Sequence, residues 1–380
     1  NYIILYNGKI EMKKQLENLT LGIEEEYQLI DPKTKELTSY ITEILEDGEV
    51  IFRDEVKPEL LQSQIEVGSK VCNNLEELEL DLSRLRKLVK SYANKNNLDI
   101  VAAGTHPFSH WKDQIVTDKE RYHGFMDSTQ YVGKRMLIFG MHVHIGIKSK
   151  DLRIDIMNQM RYFMPHILAL STSSPFWQGN ITGFKSFRSI IFEDLPRTGI
   201  PEVFTSYKDY ESYLKTLIKC NTIDEPTKIW WDIRPHSLYP TLEFRICDCP
   251  TRMMDALSIA ALIQALVAKL IILRNSNQSW RDYRGSLIHE NKWRATKDGI
   301  NSKLLDLGKV KEVPYEKLMI EMLDFVDEVV DQLGSRRHIN HIKEILKEGT
   351  SADKQIQIFK SSGDIKQVVD HLISETARDI

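Results

Sequence analysis

Four short segments of the chain alternate apolar residues with residues that bind metal ions or anions. They span residues 21–30, 62–68, 140–147 and 241–247. In an extended strand every second side chain points to the same side, so each segment predicts a strand with one apolar and one polar face. The polar faces carry Glu24, Glu26 and Gln28; Gln62, Gln64 and Glu66; His142 and His144; and Glu243 with Arg245.

The residue types on these faces indicate a cation site rather than a solvated surface. Glu24 and Glu26 would repel each other on one strand face unless a cation lay between them. Carboxylate oxygens combined with the imidazole of His142 suit Mg²⁺ or Mn²⁺ better than Zn²⁺. A strand face that meets only water is the alternative, and such faces favour Lys, Thr, Ser and Arg. The sequence therefore predicts a site for divalent metal ions.

Metal ions beside an arginine such as Arg245 suit phosphoryl transfer, which depends on positioning and charge neutralisation. The sequence contains no glycine-rich phosphate loop of the G-x-x-x-x-G-K-[ST] form. A nucleotide would therefore be held through metal ions and arginines.

The elements that must position these residues form an antiparallel sheet with helices on one side. The apolar strand faces need a helical layer, whereas the polar faces would line a concave open side. Apolar side chains at three- and four-residue spacing predict helices over 75–92, 254–274 and 318–333. The predicted fold class is α+β.

The chain is expected to form a single catalytic domain over residues 21–380, with a helical C-terminal part from about residue 315. No Pro/Gly/Ser-rich linker divides this range. Residues 1–20 are interpreted as an N-terminal extension and lead-in, with Met12 as the functional start and 1–11 as an upstream extension.

Composition argues against several classes of partner. The chain has 51 basic and 55 acidic residues, a net charge of −4, which is too small to attract nucleic acid or an anionic membrane. The apolar run 256–268 is short for a membrane span and is expected to be a core helix. Four cysteines do not form a disulfide framework in a chain of this length, so a cytoplasmic location is expected.

Three of the strand segments together resemble a known superfamily. GIEEEYQLID, GMHVHIGI and TLEFRICD are similar, in the same order, to the metal-binding strands of the glutamine synthetase superfamily. The range from about 21 to 376 resembles the YbdK-type carboxylate–amine ligases, also called type 2 glutamate–cysteine ligases. The segments that carry this closer resemblance are GTHPFSHW, STSSPFWQG, RSIIFEDLPRTGIP, WWDIRPH and ENKWRATKDG. The resemblance implies a glutamine-synthetase-like catalytic domain.

The resemblance also implies two metal sites built mainly from carboxylates. One ion would lie beside the substrate carboxylate, held by Glu26, Glu59 and Glu66. The other would lie beside the nucleotide phosphates, held by Glu24, His142 and Glu243. Glu59 lies seven residues before Glu66, so it has the wrong strand parity unless a bulge or turn intervenes.

The resemblance also implies that further residues contact anions or the nucleotide. Arg245 would neutralise the phosphoryl group during transfer, and His144 would line the nucleotide side. Arg188, Arg197 and Arg294 lie in family-like loops and are interpreted as clamps for phosphate or substrate carboxylate, with surface ion pairs as the alternative. Trp293 is expected on the nucleotide side.

The implied activity is ATP-dependent joining of a carboxylate, glutamate or a similar amino acid, to an amine such as cysteine through an acyl phosphate. Two Mg²⁺ or Mn²⁺ ions would serve as cofactors, the partners would be small molecules, and a homodimer is left open. A guanidino-type ATP phosphotransferase, a metal-dependent amidohydrolase and a non-catalytic binding module are the alternatives. A stable phosphorylated product would indicate the first, and zinc with ATP-independent hydrolysis the second.

Overall fold

A computed structural model describes residues 19–41, 55–378 and 380 of the chain. The expected extension at 1–11 lies outside these residues. In the described part, the strands are β1 (Leu21–Ile30), β2 (Val56–Pro58), β3 (Gln64–Gly68), β4 (Asp99–Val101), β5 (Gly140–Gly146), β6 (Phe176–Trp177), β7 (Asn180–Ile181), β8 (Thr198–Gly199), β9 (Trp230–Trp231), β10 (Ile233–Pro235), β11 (Thr241–Asp248), β12 (Lys303–Asp306) and β13 (Lys311–Pro314).

Helices alternate with the strands along the chain and predominate from residue 253 onward. Over the same ranges they are α1 (Leu75–Lys95), α2 (Glu120–Thr129), α3 (Tyr131–Lys134), α4 (Lys150–Met160), α5 (Met164–Ser171), α6 (Phe187–Phe192), α7 (Tyr207–Lys219), α8 (Met253–Asn275), α9 (Gly285–Asp298), α10 (Tyr315–Val330), α11 (Arg336–Glu348), α12 (Ser351–Ser362) and α13 (Ile365–Thr376). The last four occupy the region in which the sequence predicts a helical C-terminal part.

Within the described residues, the main sheet has seven antiparallel strands in the order β10-β11-β5-β1-β3-β2, with β4 paired to the end of β1. Its register brings the predicted polar faces together. Glu24 of β1 lies opposite His142 of β5, and Glu26 lies opposite Glu66 of β3. Because side chains alternate along each strand, these residues share one side of the sheet.

The apolar side of the sheet is covered by helices, and α8 lies at the centre of that layer. One helix of the described residues, α8, is long and apolar enough to cross a membrane by length and composition. However, 83% of its most apolar stretch is buried inside the protein. A helix that is apolar on all sides belongs in the interior, so α8 is a core helix. The α+β fold class is confirmed.

A buried ion pair lies directly beneath the polar face of β1. The side chains of Glu25 and Arg86 are fully buried, and Arg86 Nε donates to Glu25 Oε2 over 2.9 Å. Arg86 Nη1 also donates to the main-chain oxygen of Thr251 at 2.9 Å, and the Tyr27 hydroxyl donates to Glu25. Because both charges are paired and hydrogen-bonded, burial is tolerated, and the pair ties α1 and the segment before α8 to β1.

Candidate active site

The polar side of the main sheet is the floor of a cleft with a volume of about 400 Å³. Its walls come from α2, α6 and the segment 225–230. Most residues predicted from the sequence meet in this cleft, whose lining includes Glu24, Glu26, Glu59, Glu66, His142, Arg188, Glu243 and Arg245.

A first cluster joins three neighbouring strands in the middle of the floor. Glu24, His142 and Glu243 each offer a ligand atom, and these atoms lie within 4.8 Å of one another. His142 Nδ1 lies 2.9 Å from Glu24 Oε2. Burial, together with the positive charge of Arg245, lowers the pKa of His142 to about 4. The imidazole is therefore neutral at physiological pH, the form that coordinates metal ions.

Glu24 is ionised in the same cluster. Burial acts to raise the pKa of Glu24, but hydrogen bonds from His142 and His144 outweigh it and hold this pKa well below the usual range. His144 Nε2 lies 3.7 Å from Glu24 Oε1, and its ring meets that of His236 with centroids 5.4 Å apart. His144 therefore lies behind the cluster, at one end of the cleft.

A second cluster contains the crowded carboxylates Glu26, Glu59 and Glu66. Burial, with the negative charge of Glu59, raises the pKa of Glu26 to about 7. Burial, with the charges of Glu24, Glu59 and Glu26, raises the pKa of Glu66 well above its usual value. Glu59 lies in the connection between β2 and β3, which is the turn that its sequence spacing requires. A cation between these groups would relieve their mutual repulsion.

Arg245 and Arg188 bring positive charge to the floor. Arg245 Nη1 donates to Glu243, while its main-chain N–H donates to the Asp232 oxygen at 2.7 Å. The β11–β5 register shifts between Phe244 and Cys247, so Arg245 lies at an irregularity of the strand.

The guanidinium of Arg188 lies against the strand at Gly140, where any side chain would collide with it. Its Nη atoms donate to main-chain oxygens of Ile246 at 3.4 Å and Arg245 at 3.3 Å. Arg188 is 4% exposed, and its Nε has no hydrogen-bond partner among the described residues. A cation that lines the cleft beside Glu26 suits an anionic group of a substrate.

Four residues that the sequence analysis placed at the site lie outside the cleft lining, namely His144, described above, and Arg197, Trp293 and Arg294. Arg197 stacks over the Trp230 ring at 5.3 Å and donates to the Lys228 oxygen, so it supports the wall from behind. Trp293 is 46% exposed and meets Phe184. Arg294 pairs with two acids, Glu290 and Glu312.

The turn of α9 explains the outward positions of Trp293 and Arg294. Lys292 and Ala295 of the same helix are buried, and each residue advances about 100° around a helix. Trp293 and Arg294 therefore face away from the buried side. The geometry gives no support to their predicted nucleotide contact, which stays a prediction.

Arg234 received no role from the sequence, yet it lines the cleft and its guanidinium pairs with the Glu243 carboxylate. Arg234 Nε lies 2.7 Å from Glu243 Oε2, and the two residues face each other in the register of β10 and β11. His236 also lines the cleft at the same end. The segment WWDIRPH does contain a pattern that indicates a short strand with one polar side, because Asp232, Arg234 and His236 alternate with other residues.

Comparisons with known proteins identify the family. The sequence model of glutamate–cysteine ligase family 2 matches residues 20–371. A protein of Herpetosiphon aurantiacus provisionally named glutamate–cysteine ligase 2 is 51% identical over 361 residues, which cover 95% of this chain and 94% of that protein. A counterpart from Chloroflexus aurantiacus is 50% identical, with 95% and 93% covered.

Solved structures share the fold. The glutamate–cysteine ligase of Francisella tularensis, crystallised with AMP, matches with a TM-score of 0.69 and 14% identity, over 95% of this chain and 90% of that chain. A bifunctional glutathione synthetase from Pasteurella multocida matches with a TM-score of 0.68 and 14% identity, over 97% and 53%. The glutamine-synthetase-like architecture is therefore confirmed. The chain belongs to glutamate–cysteine ligase family 2 and is an ATP-dependent ligase that forms carbon–nitrogen bonds.

Proposed function

We propose that the enzyme activates the carboxylate of glutamate or a similar amino acid as an acyl phosphate, with ATP as the phosphoryl donor, and then transfers the acyl group to an amine. The observation that carries this proposal is the meeting of two acidic clusters and two arginines on one face of one sheet. Phosphoryl transfer to a carboxylate brings anions together, so charge neutralisation is its main requirement.

The residues of both clusters fit divalent cations. Oxygen ligands predominate, one neutral imidazole is present, and the ligand atoms of Glu24, His142 and Glu243 lie within 4.8 Å of one another. The raised pKa values of Glu26 and Glu66 reflect their burial and the neighbouring carboxylates, which outweigh the positive charges of Arg188 and Lys57. The first cluster would hold one Mg²⁺ or Mn²⁺ ion and Glu26, Glu59 and Glu66 a second. When bound, these ions would neutralise the phosphate and carboxylate charges.

The proposed reaction has two steps and needs only the carboxylate, ATP and the amine. A carboxylate oxygen attacks the γ-phosphorus of ATP, the bond to the β–γ bridging oxygen breaks, and ADP leaves with the electron pair. The amine nitrogen then attacks the acyl carbon, the carbon–oxygen bond to phosphate breaks, and inorganic phosphate leaves. The amine gives up its proton to water.

The arginines divide the work of orientation between them. Arg245, anchored on Glu243, faces the cleft at the first cluster, where its charge would stabilise the transferred phosphoryl group. Arg188 lines the cleft beside Glu26, where its guanidinium would hold the substrate carboxylate. His144, at the Glu24 end, would contact the nucleotide side.

Product analysis with a trapping nucleophile tests the proposal. Purified enzyme with ATP, Mg²⁺ and hydroxylamine is screened over amino-acid carboxylates, glutamate first, while ADP and hydroxamate are followed in parallel. The expected result is ADP and hydroxamate formed together, and only with a suitable carboxylate. Production of AMP, or hydroxamate without ATP, would contradict the proposal. ADP with a stable phosphorylated product instead would indicate the guanidino-type phosphotransferase, and hydrolysis without nucleotide the amidohydrolase.

A further inference from the structure

We infer, resting on the function proposed above, that the amine acceptor of this enzyme carries a large apolar side chain. This side chain would pack on an apolar wall of the cleft, which we define by six residues: Phe125, Met136, Ile138, Phe192, Leu195 and Trp230.

The apolar wall is built from separate elements that pack on one another. Phe125 comes from α2, Phe192 ends α6, and Trp230 begins β9. These three aromatic side chains are partly exposed and pack against a core cluster that contains the other three members. The rings of Phe125 and Trp230 meet edge to face, with centroids 5.8 Å apart. The wall is therefore a supported apolar surface that opens into the cleft, as apolar ligand sites do.

The Ile138 side of the apolar wall lies at the Glu26 end of the floor, whereas Trp230 follows Ile229, whose main-chain oxygen accepts from Arg234. Ile138 accepts a hydrogen bond of 2.7 Å from Gln64, two residues before Glu66 on β3. Gly140, just beyond Ile138, donates its N–H to Glu26. The guanidinium of Arg188 lies over the Phe192 ring at 5.5 Å. The wall thus begins beside the group that would hold the substrate carboxylate.

The charges around the cleft indicate where the triphosphate of ATP and the amino group of the acceptor would bind relative to this wall. Cationic and imidazole groups surround Glu243 at the opposite end, where Arg234 and Arg245 bond to it and His144 meets His236. A triphosphate is attracted to that end. Glu26, Glu59 and Glu66 line the cleft together beside this wall, and three carboxylates outnumber the charges of one divalent ion, which favours an approaching ammonium over a polyphosphate.

The acidic end also carries two cations, which fit an amino acid as the amine. Lys57 and Arg121 line the cleft here, and Arg121, whose side chain is 67% exposed, lies 3.9 Å from Glu59. At the mouth of the cleft they could meet the carboxylate of an amino-acid acceptor. An amino acid with a leucine-, methionine- or phenylalanine-like side chain therefore fits this part of the cleft. Its side chain would meet the apolar wall, its ammonium the acidic cluster and its carboxylate the two cations at the mouth.

Acceptor kinetics test the inference. With the carboxylate substrate saturating, kcat/KM is measured for L-alanine, L-cysteine, L-leucine and L-phenylalanine from ADP release and peptide product. We expect leucine or phenylalanine to exceed alanine and cysteine by about tenfold or more, because each buried carbon adds to transition-state binding. Equal values, or cysteine or alanine as the best acceptor, would overturn the inference.

Hydroxylamine separates this inference from the proposed function. It is too small to reach the apolar wall, so it reports carboxylate activation alone. Hydroxamate formation without any preference for apolar amines would leave the proposed function standing and reject the inference. Absence of ADP and hydroxamate with every carboxylate would reject both.

The Phe125→Ala variant tests the wall directly. The ratio of kcat/KM for the preferred apolar acceptor to that for alanine should fall about tenfold, while KM for ATP changes by less than about twofold. Phe125→Leu, which keeps most of the packing, should lose less and provides a folded variant if the alanine form is unstable. Leu80→Ala is the matched control, because Leu80 is 68% exposed on α1 and does not line the cleft. A higher KM for ATP with an unchanged ratio would place the nucleotide base on the wall and overturn the inference.

Discussion

Arg234 holds both carboxylate oxygens of Glu243, with Nε 2.7 Å from Oε2 and Nη2 3.3 Å from Oε1. Arg245 donates to the same carboxylate. Burial acts to raise the pKa of Glu243, but the charges of Arg245 and Arg234 outweigh it and keep this pKa far below the usual range. Glu243 is therefore a fixed, ionised group, as a metal ligand must be.

Arg234→Lys should lower turnover or apparent Mg²⁺ affinity by about 10- to 100-fold, because an ammonium cannot hold two carboxylate oxygens in one plane. The measurement is the initial rate as a function of Mg²⁺ concentration. Arg274→Lys is the matched control, since Arg274 forms a partly exposed ion pair with Asp155. An unchanged Mg²⁺ dependence in Arg234→Lys would show that this pairing does not support the site.

Arg245→Ala should reduce turnover by about a thousandfold or more while nucleotide binding stays within a few-fold, because its charge would act mainly on the transferred phosphoryl group. Arg245→Lys should restore little. Both are measured by steady-state kinetics and by nucleotide titration. Arg336→Ala, in a partly exposed pair with Asp327 and Asp331 outside the cleft lining, should retain near-normal turnover. Near-normal turnover of Arg245→Ala would contradict the site described above.

Lys292 joins two segments that carry site arginines. Its Nζ lies 2.8 Å from Glu193, which follows α6, and 2.6 Å from Asp232, whose main-chain oxygen accepts the Arg245 N–H. Lys292→Met should lower the free energy of unfolding by about 3 kcal/mol, because it leaves buried negative charge without a partner. Lys215→Met, in an exposed ion pair, should change it by less than about 1 kcal/mol.

Urea unfolding measures both lysine variants, and Lys292→Arg should recover part of the loss. Equal unfolding free energies for Lys292→Met and Lys215→Met would show that the buried contacts of Lys292 contribute no more than a surface pair.

His106 should make the protein less stable in mild acid. Its Nδ1 accepts from the main-chain N–H of Ser109 at 2.8 Å, and its Nε2 lies 3.0 Å from the Lys35 oxygen. Burial lowers the pKa of His106 to about 3. The unfolded chain binds this proton below about pH 6.5, whereas the folded protein keeps the ring neutral, so acid favours unfolding from about pH 6.5 downward.

Between pH 7 and pH 5 this group should lower the free energy of unfolding by up to about 2 kcal/mol. His106→Asn can still accept from Ser109 but does not titrate, so its stability should fall less over that interval. Urea denaturation at several pH values measures the difference. If the free energy of unfolding falls equally with decreasing pH in both proteins, His106 is ruled out as a source of acid sensitivity.

The sequence predicted the sheet and most of the cleft because period-two alternation fixes which side chains share a strand face. Glu24, Glu26, Glu66, His142 and Glu243 follow from that rule alone. Glu59 did not, because it lies in a turn whose direction depends on the tertiary packing of β2 and β3.

The positions of the predicted residues outside the cleft, and of Arg234 inside it, also have physical causes. Trp293 and Arg294 were assigned by their motif, whereas their outward direction follows from which side of α9 is buried, a side that includes Lys292. Arg234 alternates with Asp232 and His236, but its strand has only three residues, so the pattern was too short to predict a strand, and its partner Glu243 is revealed only by the strand register. Ion pairs between distant segments, such as Lys292 with Asp232, leave no local pattern to read.

The acyl phosphate is the central claim, and isotope transfer tests it most directly. The carboxylate substrate is labelled with ¹⁸O in its reacting carboxylate, turned over with unlabelled ATP and the amine, and the phosphate products are examined by ³¹P NMR. Because the carboxylate oxygen that attacks phosphorus leaves with it, the inorganic phosphate should contain one ¹⁸O atom per molecule of amide formed, and ADP should contain none. Label in AMP, or amide formation with unlabelled phosphate, would contradict this mechanism.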